Sequence, residues 1–187
     1  MTTTIDAVHV RPATLDDVPR IAEIHVETWQ VAYRGLVPDA VLDRLSVDRR
    51  VTAWTRIVGE TSWPSTGVFV AEDNDAVVGF AHISPSRDDG AAPEVGEVTA
   101  IHVAPQLWRR GAGRVLLLSA CASLRSAGFS AATLWVLQTN ERARGFYEEM
   151  GWRLDGATKV DDLGEVVLRE VRYAVTLDDA GLFGACE

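Results

Sequence analysis

Glu97-Val-Thr-Ala-Ile-His-Val-Ala-Pro-Gln-Leu-Trp-Arg-Arg-Gly-Ala-Gly-Arg-Val-Leu116 contains, in order, a strand, a turn and the start of a helix. Apolar and β-branched residues run to Val103, Pro105 cannot continue a ladder, and Gly111 and Gly113 precede an apolar run long enough for a helix. The first N–H groups of such a helix have no intrahelical acceptor and lie at the positive end of its dipole, so the turn suits an anion, above all a phosphate. Glycine at alternate positions lets a pyrophosphate approach the backbone and tolerates positive φ. Arg109, Arg110 and Arg114 bracket the turn. No Gly-Lys-Ser/Thr follows the glycines, and Leu116 stands where a dinucleotide fingerprint has its third glycine. Nucleoside triphosphates and nicotinamide cofactors are therefore disfavoured.

Downstream, the apolar periodicity of Leu117, Cys121 and Leu124 predicts a helix from Gly113 to about Ala127, stopped by Gly128. Ala131–Leu137 is continuously apolar, as expected of a central strand covered on both faces. Asn140 then caps a helix whose dipole Glu141 complements and which Gly151 ends. Trp152 to Lys159 and Glu165 to Val175 read as closing strands around the turn Asp161–Gly164, with a frayed tail beyond.

Upstream, Gly67–Glu72 and Ala76–Ser84 form a hairpin around Asp73-Asn-Asp75, followed by a polar, mobile loop to Pro93 and a strand from Glu94 to Ala104. Ala7–Pro12 alternates as a first strand, and Thr14 to Asp17 resembles a capping box for a helix running to about Tyr33. Pro19 fits only in its first turn. Helices follow at Asp39–Leu45 and Val47 to about Gly59. Trp29, Tyr33 and Trp54 could form an aromatic wall, although helical spacing favours core, and His25 reads as a satisfied, half-buried histidine. The expected fold is α/β, a single three-layer domain over residues 1–187 with its core at about 7–175. Its sheet is mixed, mostly antiparallel and six- or seven-stranded, with helices on both faces.

A chain of 187 residues, 47% apolar and 24% charged, can bury a core without staples. Eighteen basic and twenty-seven acidic side chains give a net charge of −9, which disfavours nucleic acid and favours cationic small molecules. Cys121 and Cys186 match no metal-ligand spacing, and Cys121 lies in an apolar helical run as an inert thiol. No signal core and no uncharged run of about eighteen apolar residues is present, so a cytoplasmic protein without a membrane partner is expected.

Val103-Ala-Pro105 followed by Trp108-Arg-Arg-Gly111-Ala-Gly113 resembles the acyl-CoA signature of the GNAT acetyltransferase superfamily. So does Asn140-Glu-Arg-Ala143-Arg-Gly-Phe146-Tyr147-Glu-Glu-Met-Gly151-Trp152, which is similar to that family's Asn-x-x-Ala-x-x-Phe-Tyr-x-x-x-Gly-Phe. Trp108 departs from the usual Gln or Arg at the first loop position and removes one side-chain contact. The resemblance spans about residues 7 to 175 and implies the GNAT fold, acetyl-CoA as cosubstrate and no metal. It further implies CoA contacts from Ile101, His102, Val103, Arg109, Arg110, Gly111, Ala112, Gly113, Arg114, Asn140 and Ala143.

The implied reaction is direct attack of a neutral amine on the thioester. A lysine-like amine of pKa ~10 must first lose a proton, and the leaving thiolate benefits from a donor such as a phenol. Glu97 matches the family's general-base position and lies, by alternation, on the face of Ile101 and Val103; a solvated edge carboxylate is its alternative. Tyr147 matches the family's acid, with a place in an apolar stripe as its alternative. The expected acceptor is a small cationic amine, drawn in by Glu27, Asp39, Asp43, Asp88, Asp89 and Glu94; a homodimer is compatible with the sequence. A protein N-terminus or lysine as acceptor, or a noncatalytic CoA-binding regulatory module, are the competing readings.

Overall fold

The structure, a computed structural model, describes residues 8–162 and 167–178. Ala7, residues 163 and 164 of the expected closing turn, and the tail past Asp178 with Cys186 lie outside them. The elements are β1 (His9–Pro12), α1 (Val18–Ala32), α2 (Asp39–Asp43), α3 (Val47–Gly59), β2 (Gly67–Asp73), β3 (Ala76–Pro85) and β4 (Val95–Val103). They continue with α4 (Ala112–Ser126), β5 (Ala131–Leu137), α5 (Glu141–Glu149), β6 (Arg153–Asp162) and β7 (Val167–Thr176). Asp17 accepts the Thr14 N–H at 2.7 Å, which is one arm of the expected capping box, and Pro19 sits in the first turn of α1. Asn74 and Asp75, both at positive φ (50° and 61°), close the β2–β3 hairpin, a backbone these short polar side chains tolerate.

The seven strands lie in the order β1-β2-β3-β4-β5-β7-β6. Among the described strands only β4 and β5 run parallel, joined by the crossover helix α4. On one face, Leu116, Leu117, Cys121 and Leu124 of α4 pack with Val98, Leu134 and Tyr173. On the other, Ile21, Ile24 and Trp54 of α1 and α3 pack with Val68, Val70 and Phe80. A small third cluster joins Val37 and Leu42 to Leu137 and Leu168, tying the segment after α1 to the ends of β5 and β7.

Two departures from regular pairing shape the centre of the sheet. Ile83 pairs with Val98 but His82 pairs with Ala100, so Thr99 is an extra residue, a β-bulge. Straight alternation put Glu97 with Ile101 and Val103, and the bulge overturns this. Gly96 faces Leu124 of α4, and Val98, Ile101 and Val103 belong to that same side, whereas Ala100 packs with α1 and α3. Glu97 therefore shares the α1 face with Ala100 and His102.

The second departure is a fork. Strands β4 and β5 pair only at Val95↔Ala131, Gly96↔Ala132 and Glu97↔Thr133, after which they diverge. The Ala104 N–H donates to Val78 O on β3 (2.8 Å), so by alternation the backbone groups of Ile101 and Val103 turn into the fork. The Val103 carbonyl accepts from Trp108 Nε1 (2.7 Å) and Thr28 Oγ1 (3.3 Å), and backbone groups that the fork leaves unpaired need another partner.

Candidate active site

At the upper end of the fork the chain enters the glycine turn. Gly111 is the N-cap of α4 at φ 92°, with nothing within 4 Å of a Cβ built on it, so the dihedral and not crowding calls for glycine. A Cβ on Gly113 would make ordinary contacts with Phe146 (3.5 Å) and Val103 (3.8 Å), so the protein itself does not demand glycine there. The helical ladder begins with Val115 N–H donating to Gly111 O (3.1 Å), which leaves the N–H groups of Ala112, Gly113 and Arg114 ahead of it. Arg109 and Arg110 are exposed, and Arg114 reaches across to the Met150 sulfur at 3.5 Å.

The side chain of Trp108 ties the turn to the end of β4. The indole N–H donates to Val103 O (2.7 Å), which fixes the ring beside the fork. Over that ring lies the guanidinium of Arg142, 3.5 Å from its centroid. A cation from α5 thus stands over the Trp108 position of the loop. The sequence carried no signal for this, because residues 108 and 142 meet only across the fork.

On the opposite branch, Asn140 accepts the Ala143 N–H through Oδ1 (3.1 Å), so both residues are engaged in starting α5. The Tyr33 side chain is hydrogen-bonded to Asn140, and burial pushes its phenol up to about 12. Tyr147 is buried, with the rings of Phe146, Tyr173 and Trp152 around it. Burial first, and the nearby Tyr33 second, hold its phenol above the ordinary value, so it stays protonated at neutral pH.

Glu97 lies at the bottom of the fork, on its last paired rung, and is 2% exposed. It is not a solvated edge carboxylate. Arg87 bonds both of its oxygens: the Arg87 backbone N–H and Nε donate to Oε2 (3.0 and 3.2 Å), and Nη2 donates to Oε1 (2.6 Å). The polar loop that reads as mobile is thus anchored, since Asp88 also accepts from Trp135 (3.0 Å) and Arg172 (2.7 Å).

The α1 face of the fork carries three imidazoles. His82 Nδ1 lies 2.5 Å from the hydroxyl of the bulged Thr99. His102 turns its ring onto His25 (4.9 Å between centroids), and its backbone, by alternation with Ala104, turns to β3 and not into the fork. His25 accepts from Trp54 Nε1 (3.2 Å) through Nδ1, while its buried Nε2 finds no partner among the described residues, so it is only half satisfied. Burial lowers His25 to about 2 and both His82 and His102 to about 4, so all three are neutral at pH 7. Trp29 and Tyr33 contact edge to face at 4.6 Å, whereas Trp54 belongs to the α1–α3 core with Phe80, so the aromatic wall is divided.

Of the carboxylates expected to attract a cation, Glu27 is paired with Arg20, Asp39 and Asp43 with Arg34, and Asp88 with Arg172. Such pairing cancels much of the field they would project. Cys121 is buried and pushed up to about 12, an inert thiol. Among the described residues no three His, Cys, Asp or Glu side chains are grouped to hold a metal ion, and no helix is long and apolar enough to cross a membrane.

The sequence model of the acetyltransferase (GNAT) family matches residues 20–152. An uncharacterized N-acetyltransferase of Bacillus subtilis, YuaI, is 35% identical over 134 residues, 71% of this chain and 73% of its own. A probable N-acetyltransferase of Mycobacterium tuberculosis is 29% identical over 157 residues, 81% of this chain and 83% of the relative. Among solved structures, YncA of Salmonella typhimurium, determined with its cofactor acetyl-CoA, has a similar fold. The TM-score is 0.69 at 20% identity, covering 93% of this chain and 96% of that one.

Proposed function

The chain belongs to the acetyltransferase (GNAT) family, and from that membership we propose that it moves the acetyl group of acetyl-CoA onto a primary amine of a small acceptor by direct attack. The observation that carries the reading is the fork, open beyond the Glu97–Thr133 rung and continuous with the glycine turn. The inward-turned backbone groups of Ile101 and the N–H of Val103, whose carbonyl is held by Trp108 and Thr28, can bond the pantetheine amides as a strand would. Gly111, Ala112, Gly113 and Arg114 offer N–H groups at the positive end of α4 for the pyrophosphate, with Arg109, Arg110 and the Trp108-held Arg142 as counter-charge. Asn140 and Ala143 hold the start of α5 against the other side of that channel.

In the reaction the amine nitrogen bonds the acetyl carbon and the carbon–sulfur bond breaks. One proton leaves the amine, and one reaches the departing thiolate. In this reading Tyr147, kept protonated by burial, gives the second, and Glu97 on the α1 face of the sheet takes the first. Both residues regain their starting state through solvent. His102, whose ring packs on His25 and whose backbone turns to β3, lies outside the CoA channel in this reading. A panel of small amines incubated with the protein and acetyl-CoA, with free CoA thiol as readout, tests the proposal. Amine-dependent thiol release is expected; CoA binding without release for any amine would instead favour a regulatory CoA-binding module.

A further inference from the structure

We propose that Arg87 is an internal occupant of the acceptor-ammonium subsite, so that a cationic amine reaches Glu97 by displacing this guanidinium. The inference rests on the acetyltransferase reading for its meaning but stands on its own geometry. The Arg87 side chain is 62% exposed while its partner Glu97 is 2% exposed, so the guanidinium lies along the path from solvent to the buried carboxylate. Two of its bonds to Glu97 come from Nε and Nη2, and the third comes from its backbone N–H. Only the first two depend on the side chain. An alkylammonium has three N–H donors and can replace both, while the backbone bond keeps the loop in place.

The neighbouring charges make the exchange specific to Glu97. Asp88 and Glu170 also act on Arg87, but Asp88 is held by Arg172 at 2.7 Å and Glu170 by Lys159 at 2.9 Å. His82, the titratable group facing Glu97 from β3, is neutral at pH 7 and brings no competing cation. When Arg87 swings away, Glu97 is left as a buried carboxylate without counter-charge, a costly state that favours capture of another cation. Arg87 thereby sets the acceptor class: an amine must arrive protonated, with enough hydrogen-bonding strength to replace a guanidinium, and it then lies beside the carboxylate that takes its proton.

The test uses the full chain with carbon-13 in glutamate carboxyls, the Glu97 resonance being assigned by its loss in Glu97→Gln. Methylammonium chloride is the probe, and tetramethylammonium chloride, which carries the charge without N–H donors, is the control. In Arg87→Ala the Glu97 resonance is expected to shift saturably with methylammonium, at roughly tenfold lower concentration than in wild type or less, and not with tetramethylammonium. If Arg87→Ala does not fold, Arg87→Lys decides: its single ammonium is a weaker holder, so methylammonium must act at lower concentration than in wild type. A variant that responds no more readily than wild type, or equally to both cations, overturns the proposal. Neither arm requires acetyl-CoA or turnover, so a failure of acetyl transfer would be recognised separately.

Discussion

The Arg142 guanidinium lies 3.5 Å from the centre of the Trp108 ring, joining the turn after β4 to the first turn of α5 across the mouth of the fork. Trp108→Ala should release Arg142 and weaken CoA binding by about five- to tenfold, as expected for a cation–π contact of ~1 kcal/mol. Arg142→Ala should cost a similar amount. Because the two act as one unit, the double variant should bind little worse than either single one. Calorimetric titration with CoA checks this, and additive losses would show that the stack does not serve the cofactor.

Gly113→Ala separates ligand space from protein space. Its Cβ would only touch Phe146 and Val103 at ordinary distances, and alanine favours a helix, so stability in urea should hold or rise by up to ~1 kcal/mol. If a pyrophosphate presses on this backbone, CoA affinity should nevertheless fall about tenfold or more. Gly111→Ala should instead lose about 1 kcal/mol of stability, since its φ of 92° strains any side chain.

Tyr147→Phe removes only the hydroxyl and keeps the ring among Phe146, Trp152 and Tyr173. Turnover should drop by about 100-fold or more while CoA affinity changes little, the expected pattern for a lost proton donor. Steady-state kinetics beside calorimetry decide it. Wild-type turnover would return Tyr147 to a packing role.

Acid should unfold the protein through its imidazoles. His25 is lowered to about 2 and His82 and His102 to about 4, each by burial, whereas in the unfolded chain a histidine takes up a proton near pH ~6.5. Their contribution is complete above pH ~6.5 and is lost as pH falls, because the unfolded state binds protons that the folded state refuses. For His82 and His102 the loss ends near pH 4, and for His25 it continues lower. Each adds a slope of at most ~1.4 kcal/mol per pH unit in that window. Urea midpoints from pH 7 to 4.5 should fall accordingly, and His82→Gln should flatten the dependence. Stability unchanged between pH 7 and 5 would contradict the burial of these rings.

Local chemistry made much of this molecule readable from its residues. Pro105, Gly111 and Gly128 bound α4, Asn140 caps α5, and the apolar run Ala131–Leu137 is the central strand, because each depends on neighbours in sequence. The crossover of β4 and β5 around α4 was also accessible, since a strand, a helix and a strand in that order suit a parallel pair. Pairing across sequence distance was not. The bulge at Thr99 exists only in register against His82 and Ile83, and a single extra residue moved Glu97 to the opposite face of the sheet. Arg87 meets Glu97 through the return of a loop, Arg142 meets Trp108 across two branches of a sheet, and His25 meets His102 because α1 lies over β4. Sequence determined which groups the chain carries and the elements that present them, through backbone preferences acting over a few residues. Tertiary structure alone decided which charges neutralise one another and which face each group serves, because those outcomes follow from register and packing between segments far apart in the chain.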